Sequence, residues 1–244
     1  MRSFTKTVEN IKNNIISYQH EYIILYCCWT TENTEDFERE FPNAHIKKIE
    51  QPDINGEEFQ EWYTNMMPVI RYNTGITIDN KFISYNLSMN KIMNIYCEPV
   101  HDMYKYYLQI YCNKELVKFI DTKEILNNYD IFIRLRCDCI YNRIIYNEFE
   151  NIEENILYCV KENTFKPFIE HDSINDQLFY GSRTVMIIVL RLIEYCDKLK
   201  INGTDCFYNT WNDVIHPETT LYKALIYNGF EEKYIEGLRV NIIR

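Results

Sequence analysis

The sequence predicts an α/β fold in which helices cover a mainly parallel central sheet. Three observations support this class: strand and helix patterns alternate along the chain, hydrophobic residues make up 46% of the 244 positions, and aromatic residues make up 15%. Alternating elements favour parallel pairing, since each strand returns over the sheet through a helix. No repeat, low-complexity tract or linker divides the chain, so residues 1–244 are expected to form a single domain.

The first half of the chain opens with a helix and a strand. Val8, Ile11 and Ile15 recur at helical spacing and predict a helix over roughly residues 5–18. The run YIILYCC at residues 22–28 then predicts a strand. Weaker patterns predict a helix at 57–67, a strand or loop segment at 79–84, and a long helix at 89–119 with a break or kink at Pro99.

The second half contains the clearest helix. The stretch YDIFIRLRCDCIY at residues 129–141 predicts a charged strand, and residues 155–160 predict another. Ser182 is expected to cap the clearest helix, which has a continuous apolar stripe. A last helix at 219–228 is expected to end at Gly229, because glycine readily adopts the left-handed conformation of a C-cap.

Composition bears on partners and location. The formal charge of −10 comes from 36 acidic and 26 basic residues and argues against a nucleic-acid partner. The longest apolar runs, 22–29 and 185–190, are much shorter than the roughly 20 residues of a membrane span. The first residues lack the apolar region of a secretory signal, and the nine cysteines include several within predicted strands. A cytoplasmic protein with reduced thiols and no membrane span is therefore expected.

The glycine content excludes the common nucleotide-binding fingerprints. Only six glycines are present, and their spacing builds neither GxGxxG nor a P-loop. The GxSxG pattern of hydrolases is absent too. Dinucleotide oxidoreductases, Walker-type NTPases and that hydrolase class are therefore not expected.

The charged strand is the first candidate site. At the strand period of two, Arg134, Arg136 and Asp138 share one face, and they approach the carboxyl end of the strand, where ligands of open α/β sheets bind. Arg136 can reach a phosphate or carboxylate there, and Asp138 can hold a metal or a hydroxyl. Two structural explanations stand beside this one: a solvated strand face, or an Arg–Asp pair that satisfies itself.

Two further motifs precede predicted helices. Asp176, between Asn175 and Gln177, can act as a general base or bind sugar hydroxyls, or its segment can cap a turn and helix. Gly181 allows a tight entry or a close backbone approach. In the stretch His216-Pro217-Glu218, the proline stiffens the loop and the glutamate favours a helix N-terminus, so this motif also has a structural explanation.

Five segments in order resemble a known family. They are MRSFTKTVENIKNNI, the strand end Cys28-Trp29-Thr30, NNYDIFIRLRCDCIY, NDQLFYGSRTVM and HPETTLYKAL. Their pattern is similar to that of glycosyltransferase-like proteins of giant viruses, algae and bacteria, with YDxxIRxRxD, NDQxxxGS and HPExxL, and it covers nearly the whole chain. The resemblance implies a GT-A-like nucleotide-binding sandwich that uses a nucleotide-sugar donor and a glycan or other hydroxyl acceptor. If the chain is viral, its location would be the host cytoplasm.

The same resemblance implies roles for individual residues. Asp176 would be the catalytic base, and a divalent cation, Mn²⁺ or Mg²⁺, would be bound by Asp138 with His216. The residues implied in donor binding are Arg2, Trp29, Thr30, Arg134, Arg136 and Asp138. The remaining motif residues carried into the site are Asn175, Gln177, Gly181, Ser182, His216 and Glu218.

The chain departs from the family pattern in two places. It has the single carboxylate of Asp138 where the family's DxD motif has two, and it begins at Met1-Arg2-Ser3, where the family has already completed its first strand. Two alternatives follow: either the start is internal to a longer reading frame, or the nucleotide-binding edge is abbreviated and lacks this first strand. The alternative function is a non-catalytic binding or assembly protein with the same fold. A homodimer is the default oligomer for such a domain.

Overall fold

Helices lie on both faces of a mixed β-sheet. The computed structural model describes residues 4–16, 21–64, 75–78, 81–86, 91–96, 99–160, 177–191 and 217–243. The helices are α1 (Phe4–Asn14), α2 (Glu35–Glu40), α3 (57–64), α4 (Pro99–Asp121), α5 (Arg183–Leu190) and α6 (Pro217–Tyr227). The strands are β1 (Leu25–Trp29), β2 (His45–Ile49), β3 (Gly75–Ile78), β4 (Lys81–Asn86), β5 (Lys91–Tyr96), β6 (Ile131–Leu135), β7 (Cys139–Tyr141), β8 (Ile156–Cys159), β9 (Leu178–Ser182), β10 (Glu231–Tyr234) and β11 (Val240–Ile242).

The described strands form a mixed arrangement. The largest sheet has the order β10-β8-β9-β6, in which β10 is parallel to β8 while β9 is antiparallel to β8 and β6. β1 and β2 form a separate parallel pair, β7 pairs antiparallel with β11, and β3, β4 and β5 form an antiparallel meander. The α/β class is therefore confirmed. The prediction of a mainly parallel sheet was wrong for these strands, because an apolar pattern identifies a strand but does not fix its direction.

Alternating side chains of the four-stranded sheet enter two hydrophobic cores. Phe132, Leu157 and Phe179 belong to the first core, together with residues of α4, α5 and α6. Ile133 and Tyr180 belong to the second core, on the opposite face. The buried residues of α1 and α2 that complete the second core are Phe4, Val8, Ile11 and Phe37. The sheet is thus buried on both faces, and the burial of apolar area from two sides is the main stabilising contribution.

Helix α1 is fixed to strand β7 by side-chain amides. Asn10 Nδ2 donates to the carbonyl of Tyr141 (2.9 Å), and the Tyr141 N–H donates to Asn10 Oδ1 (2.7 Å). Asn14, one turn later, donates to the same carbonyl (2.8 Å). These bonds supply the backbone of Tyr141 with partners on the side away from β11, so α1 closes this edge of the β7–β11 pair.

The predicted helix caps are confirmed. Ser182 Oγ accepts the N–H of Val185 (3.3 Å) at the start of α5. Gly229 has φ 76° after α6, and it donates to Ile226 O (2.9 Å) while Phe230 donates to Leu225 O (3.2 Å). This pair of bonds is the Schellman arrangement that ends many helices.

The long helix predicted at 89–119 was wrong in its first part. Residues 91–96 form β5, which pairs with β4, and α4 begins at Pro99. Proline lacks an N–H and has a fixed φ, so it suits the first position of a helix better than its interior. The predicted break is therefore a helix start. No helix of the described residues is long and apolar enough to cross a membrane.

Candidate functional site

The charged stretch predicted as one strand is two strands joined by a turn. β6 ends at Leu135 and β7 begins at Cys139, so Arg136 and Asp138 lie in the turn at residues 136–138. The prediction of a single strand was wrong, because the chain changes its pairing partner here: β6 pairs with β9, whereas β7 pairs with β11. The carboxyl end of β6 is nevertheless where these two polar residues meet.

Four other parts of the fold hold the backbone of this turn. The bonds are Arg136 N–H to Gln177 O (3.0 Å), Tyr141 hydroxyl to Arg136 O (3.1 Å), Ile243 N–H to Asp138 O (2.8 Å), and Thr7 hydroxyl to Cys137 O. They come from α1, from β7, from the start of β9 and from the residue after β11. The backbone of the turn is therefore fixed from several directions, which fixes the positions from which its side chains project.

Arg136 and Asp138 form a two-pronged ion pair. Arg136 Nε donates to Asp138 Oδ1 (3.0 Å), and Nη2 donates to Oδ2 (2.8 Å). The two side chains are 36% and 31% exposed, so the pair is half-buried. The hydrogen bonds from Arg136 hold the pKa of Asp138 below its usual value, against the opposing effect of burial. An Arg–Asp pair was one explanation that the sequence allowed for this charged stretch, and the structure contains that pair.

This geometry does not fit the expected divalent cation at Asp138. Both carboxylate oxygens face a guanidinium, and a cation bound there would be placed against a positive charge. Within the described residues, moreover, no group of three or more His, Cys, Asp and Glu side chains is arranged to hold a metal. His216, the other expected ligand, lies outside the described residues.

Arg134 lies on the face of the sheet that α4 covers. It is opposite Phe179 of β9, and its guanidinium is 5.5 Å from the centre of the Phe179 ring, within range of a cation–π interaction. Its charge also acts on the thiol of Cys112 in α4. Burial raises the pKa of this thiol to about 12, and the positive charge of Arg134 partly opposes that rise. Arg134 is thus a half-buried cation between the sheet and α4.

Trp29 ends β1 on the same side. Its ring stacks on Tyr111 of α4, with 6.5 Å between ring centres and 22° between planes, and both side chains are half-buried. Thr30 is exposed, and its N–H donates to Ile49 O (2.9 Å). Trp29 therefore lies beside α4 at the carboxyl end of β1, and Thr30 directly follows this strand.

Glu32 is a polar residue of this region that the sequence did not single out. Its carboxylate accepts the hydroxyl of Tyr26 (3.1 Å) and the N–H of Trp29 (3.4 Å). Glu32 also acts on four thiols: burial chiefly raises the pKa of Cys27, Cys28, Cys112 and Cys137, and the charge of Glu32 adds to each shift. Tyr26 of β1 and Cys137 of the turn also pack against the second core, so the ends of β1 and β6 both border that core.

We call the polar and aromatic residues at these two strand ends, together with Tyr111 of α4, the strand-end site. Its members are Trp29, Thr30, Glu32, Tyr111, Arg134, Arg136 and Asp138. The rule that ligands bind at the carboxyl ends of strands could have suggested Glu32. Glu35 and Asp36 follow closely in the sequence, however, and nothing local distinguishes the three carboxylates.

The NDQLFYGS motif is divided between two ends of β9. The Gln177 carbonyl accepts the Arg136 N–H, so this residue adjoins the strand-end site. Because Leu178 is opposite Leu135 and Ser182 is opposite Ile131, Gly181 and Ser182 lie at the other end of the strand. Four or five residues separate them from Gln177, roughly 13–16 Å along a strand.

Gly181 and Ser182 have structural roles where they lie. A Cβ at Gly181 would be 3.0 Å from the Ile156 carbonyl, so the predicted close backbone approach is confirmed. Ser182 Oγ donates to Glu154 O (2.7 Å) in addition to capping α5. Both residues therefore tie β9 to neighbouring backbone.

The other expected site residues are only partly described. Arg2, Asn175, Asp176 and His216 lie outside the described residues. Glu218 belongs to the first turn of α6 by its backbone.

No family model of known proteins matches this chain, and no curated protein matches its sequence.

Proposed function

We propose that this protein is a glycosyltransferase that binds a nucleotide-sugar donor at the strand-end site and transfers the sugar to a glycan or another hydroxyl acceptor. The observation that carries the proposal is that two arginines and an aromatic pair lie at or beside the carboxyl ends of β1 and β6. The ordered sequence motifs support it independently, since three of them, those containing Trp29, Arg136 and Gln177, adjoin this site.

Each part of a nucleotide-sugar has a matching group in the strand-end site. The guanidinium groups of Arg134 and Arg136 suit the two phosphates, because planar guanidinium binds phosphate oxygens in pairs. The stacked rings of Trp29 and Tyr111 offer an aromatic surface to a base or a sugar. In a chain with a formal charge of −10, an anionic ligand needs such a local concentration of positive charge.

The proposed reaction needs two further contributions. Positive charge must stabilise the nucleoside diphosphate that leaves, which is the task assigned to Arg134 and Arg136. A base must take the proton of the acceptor hydroxyl, and Asp176 is the candidate because its neighbour Gln177 is bonded to the turn that carries Arg136. The divalent cation implied by the resemblance has no step here, since Asp138 is engaged by Arg136.

The second candidate function is a non-catalytic protein that binds or assembles through the same fold. The observation that favours it is the Arg136–Asp138 pair, because a carboxylate engaged by a guanidinium is less available to bind the cation that the family's DxD motif holds. The two candidates differ in one property: only the transferase consumes its donor.

Donor binding is tested by thermal unfolding with a panel of nucleoside diphosphates and nucleotide-sugars, each with EDTA, Mg²⁺ or Mn²⁺. We expect a selective rise in the midpoint for one base, because a ligand at 100 times its Kd stabilises the native state by about 2.7 kcal/mol. Arg136→Gln should reduce this rise. Arg39→Gln is the matched control, since Arg39 is exposed in α2. No rise with any ligand, from folded protein, would contradict the proposal.

Turnover is then measured with the donor that binds. We expect wild-type protein to hydrolyse or transfer the sugar, and Asp176→Asn to lose at least about 100-fold in rate while keeping the ligand-induced rise in the midpoint. Asp36→Asn, at an exposed side chain of α2, is the control. Tight binding without turnover would favour the non-catalytic candidate, and full turnover by Asp176→Asn would remove this residue from the mechanism.

A further inference from the structure

We infer that a phosphate-bearing ligand displaces Asp138 from Arg136, so that the strand-end site binds a diphosphate without a divalent cation. This inference rests on the proposed function, because it takes the diphosphate of the nucleotide-sugar as the ligand. It assigns Asp138 a different part from that of a metal ligand: Asp138 positions Arg136 and competes with the incoming anion.

The turn at residues 136–138 can respond to a ligand through its side chains. The backbone groups of residues 136–138 that are fixed by hydrogen bonds are Arg136 N–H, Arg136 O, Cys137 O and Asp138 O. Their partners belong to separate elements and would all have to move if the backbone moved. The Arg136–Asp138 pair is held by two bonds between side chains and is 36% and 31% exposed, so it can open towards solvent.

Charge and shape both favour a diphosphate over Asp138 as the partner of Arg136. A partly solvated ion pair contributes little to stability, so opening it costs little free energy. A diphosphate carries more negative charge than a carboxylate and presents pairs of oxygens with the spacing that a guanidinium binds. Arg136 is therefore expected to bind a diphosphate in preference to Asp138. The released Asp138 carboxylate can then be solvated by water, since its side chain is partly exposed.

In this arrangement Asp138 has the opposite role from the one it would have in a cation site. A divalent cation at Asp138 would have to displace the guanidinium and then lie close to it, with repulsion between the two positive charges. As a metal ligand Asp138 would be needed for diphosphate binding, whereas as a competitor it opposes diphosphate binding. The two roles therefore give opposite results when the charge of Asp138 is removed.

The experiment is isothermal calorimetry with inorganic pyrophosphate in EDTA. It compares wild-type protein with Asp138→Asn, Arg136→Gln and the double variant. Asparagine keeps the size of Asp138 but removes its charge. We expect Asp138→Asn to bind about five-fold more tightly and Arg136→Gln about ten-fold more weakly. The double variant should match Arg136→Gln, since Asp138 acts through Arg136. Circular dichroism and urea unfolding establish that each variant is folded.

A charge control is available at the same site. Glu32→Gln removes a carboxylate that accepts hydrogen bonds from Tyr26 and from the backbone of Trp29. We expect its effect on pyrophosphate affinity to be equal in the wild-type and Arg136→Gln backgrounds. A gain from Asp138→Asn that persists in the Arg136→Gln background would reflect general charge and would overturn the inference.

Two other results would also overturn it. Binding that is lost in EDTA and restored by Mn²⁺ or Mg²⁺, with weaker binding by Asp138→Asn, would make Asp138 a metal ligand and leave the proposed function intact. If neither pyrophosphate nor any nucleotide-sugar binds to folded wild-type protein, the proposed function fails together with the inference. The nucleotide-sugar panel thus separates the two failures.

Discussion

At the scale of the residue, Asp138 links the stability of the turn to pH. In the folded chain its pKa is held below the usual value of about 3.9, chiefly by the hydrogen bonds from Arg136. A lowered pKa means that the folded state binds this proton less readily than the unfolded state. The stabilising contribution is therefore complete above about pH 4 and is lost as the pH falls through the folded-state pKa.

This sign gives a prediction for Asp138→Asn. At pH 7 we expect the free energy of unfolding to fall by about 1 kcal/mol, a modest value because the pair is partly solvated. The difference between variant and wild type should shrink at pH values below about 4. Urea unfolding at several pH values measures it, with Asp36→Asn as the exposed-pair control. A difference that grows on acidification would show that Asp138 is not stabilised as an anion.

The same residue marks the limit of what the sequence could predict about the site. The alternation of β6 placed Arg134 on a sheet face at the carboxyl end of a strand, and that much follows from a period of two. The turn at residues 136–138 depends on Gln177, Thr7 and Ile243, which are distant in sequence. Whether Arg136 binds Asp138 or another group could not be decided without those contacts.

At the scale of the element, local signals were reliable where they act within one turn of chain. The cap of α5 at Ser182 and the end of α6 at Gly229 depend on bonds between residues three to five apart. β10 was not predicted, since its sequence Glu-Glu-Lys-Tyr is polar and lies at an edge of the sheet. Its strand conformation comes from pairing with β8, a contact that no local pattern indicates.

The attachment of α1 to β7 gives a prediction for an element. Asn10→Ala removes both of its bonds with the Tyr141 backbone, and it leaves the N–H of Tyr141 without this partner. We expect a loss of about 1–3 kcal/mol in unfolding free energy. Asn14→Ala should cost less, because Asn10 still donates to the same carbonyl.

Hydrogen exchange at the Tyr141 amide distinguishes this mechanism from a general loss of stability. Exchange at this amide should accelerate more in Asn10→Ala than the change in global unfolding accounts for, while in Asn14→Ala it should follow global stability. Equal acceleration in both variants would mean that Asn10 does not protect this group.

At the scale of the whole molecule, one sheet supports two cores. Leu157, Phe179 and Phe132 face one side, while Tyr158, Tyr180 and Ile133 face the other, and each set is buried by helices. Neighbouring residues of one strand thus belong to different cores. Loss of either core removes the packing from one face of every strand, so the two cores are expected to unfold together.

This coupling is tested by one deletion in each core. Leu157→Ala and Ile11→Ala remove buried side chains that are 0% and 3% exposed, and each should cost about 2–5 kcal/mol. Tryptophan fluorescence reports on the first core, which contains Trp62, and far-ultraviolet circular dichroism reports on all the helices. In both variants we expect the two signals to change at the same urea concentration, because a two-state transition gives coincident curves. If Ile11→Ala moved only the dichroism curve, the layer formed by α1 and α2 would unfold separately, and the sheet would not transmit the loss from one face to the other.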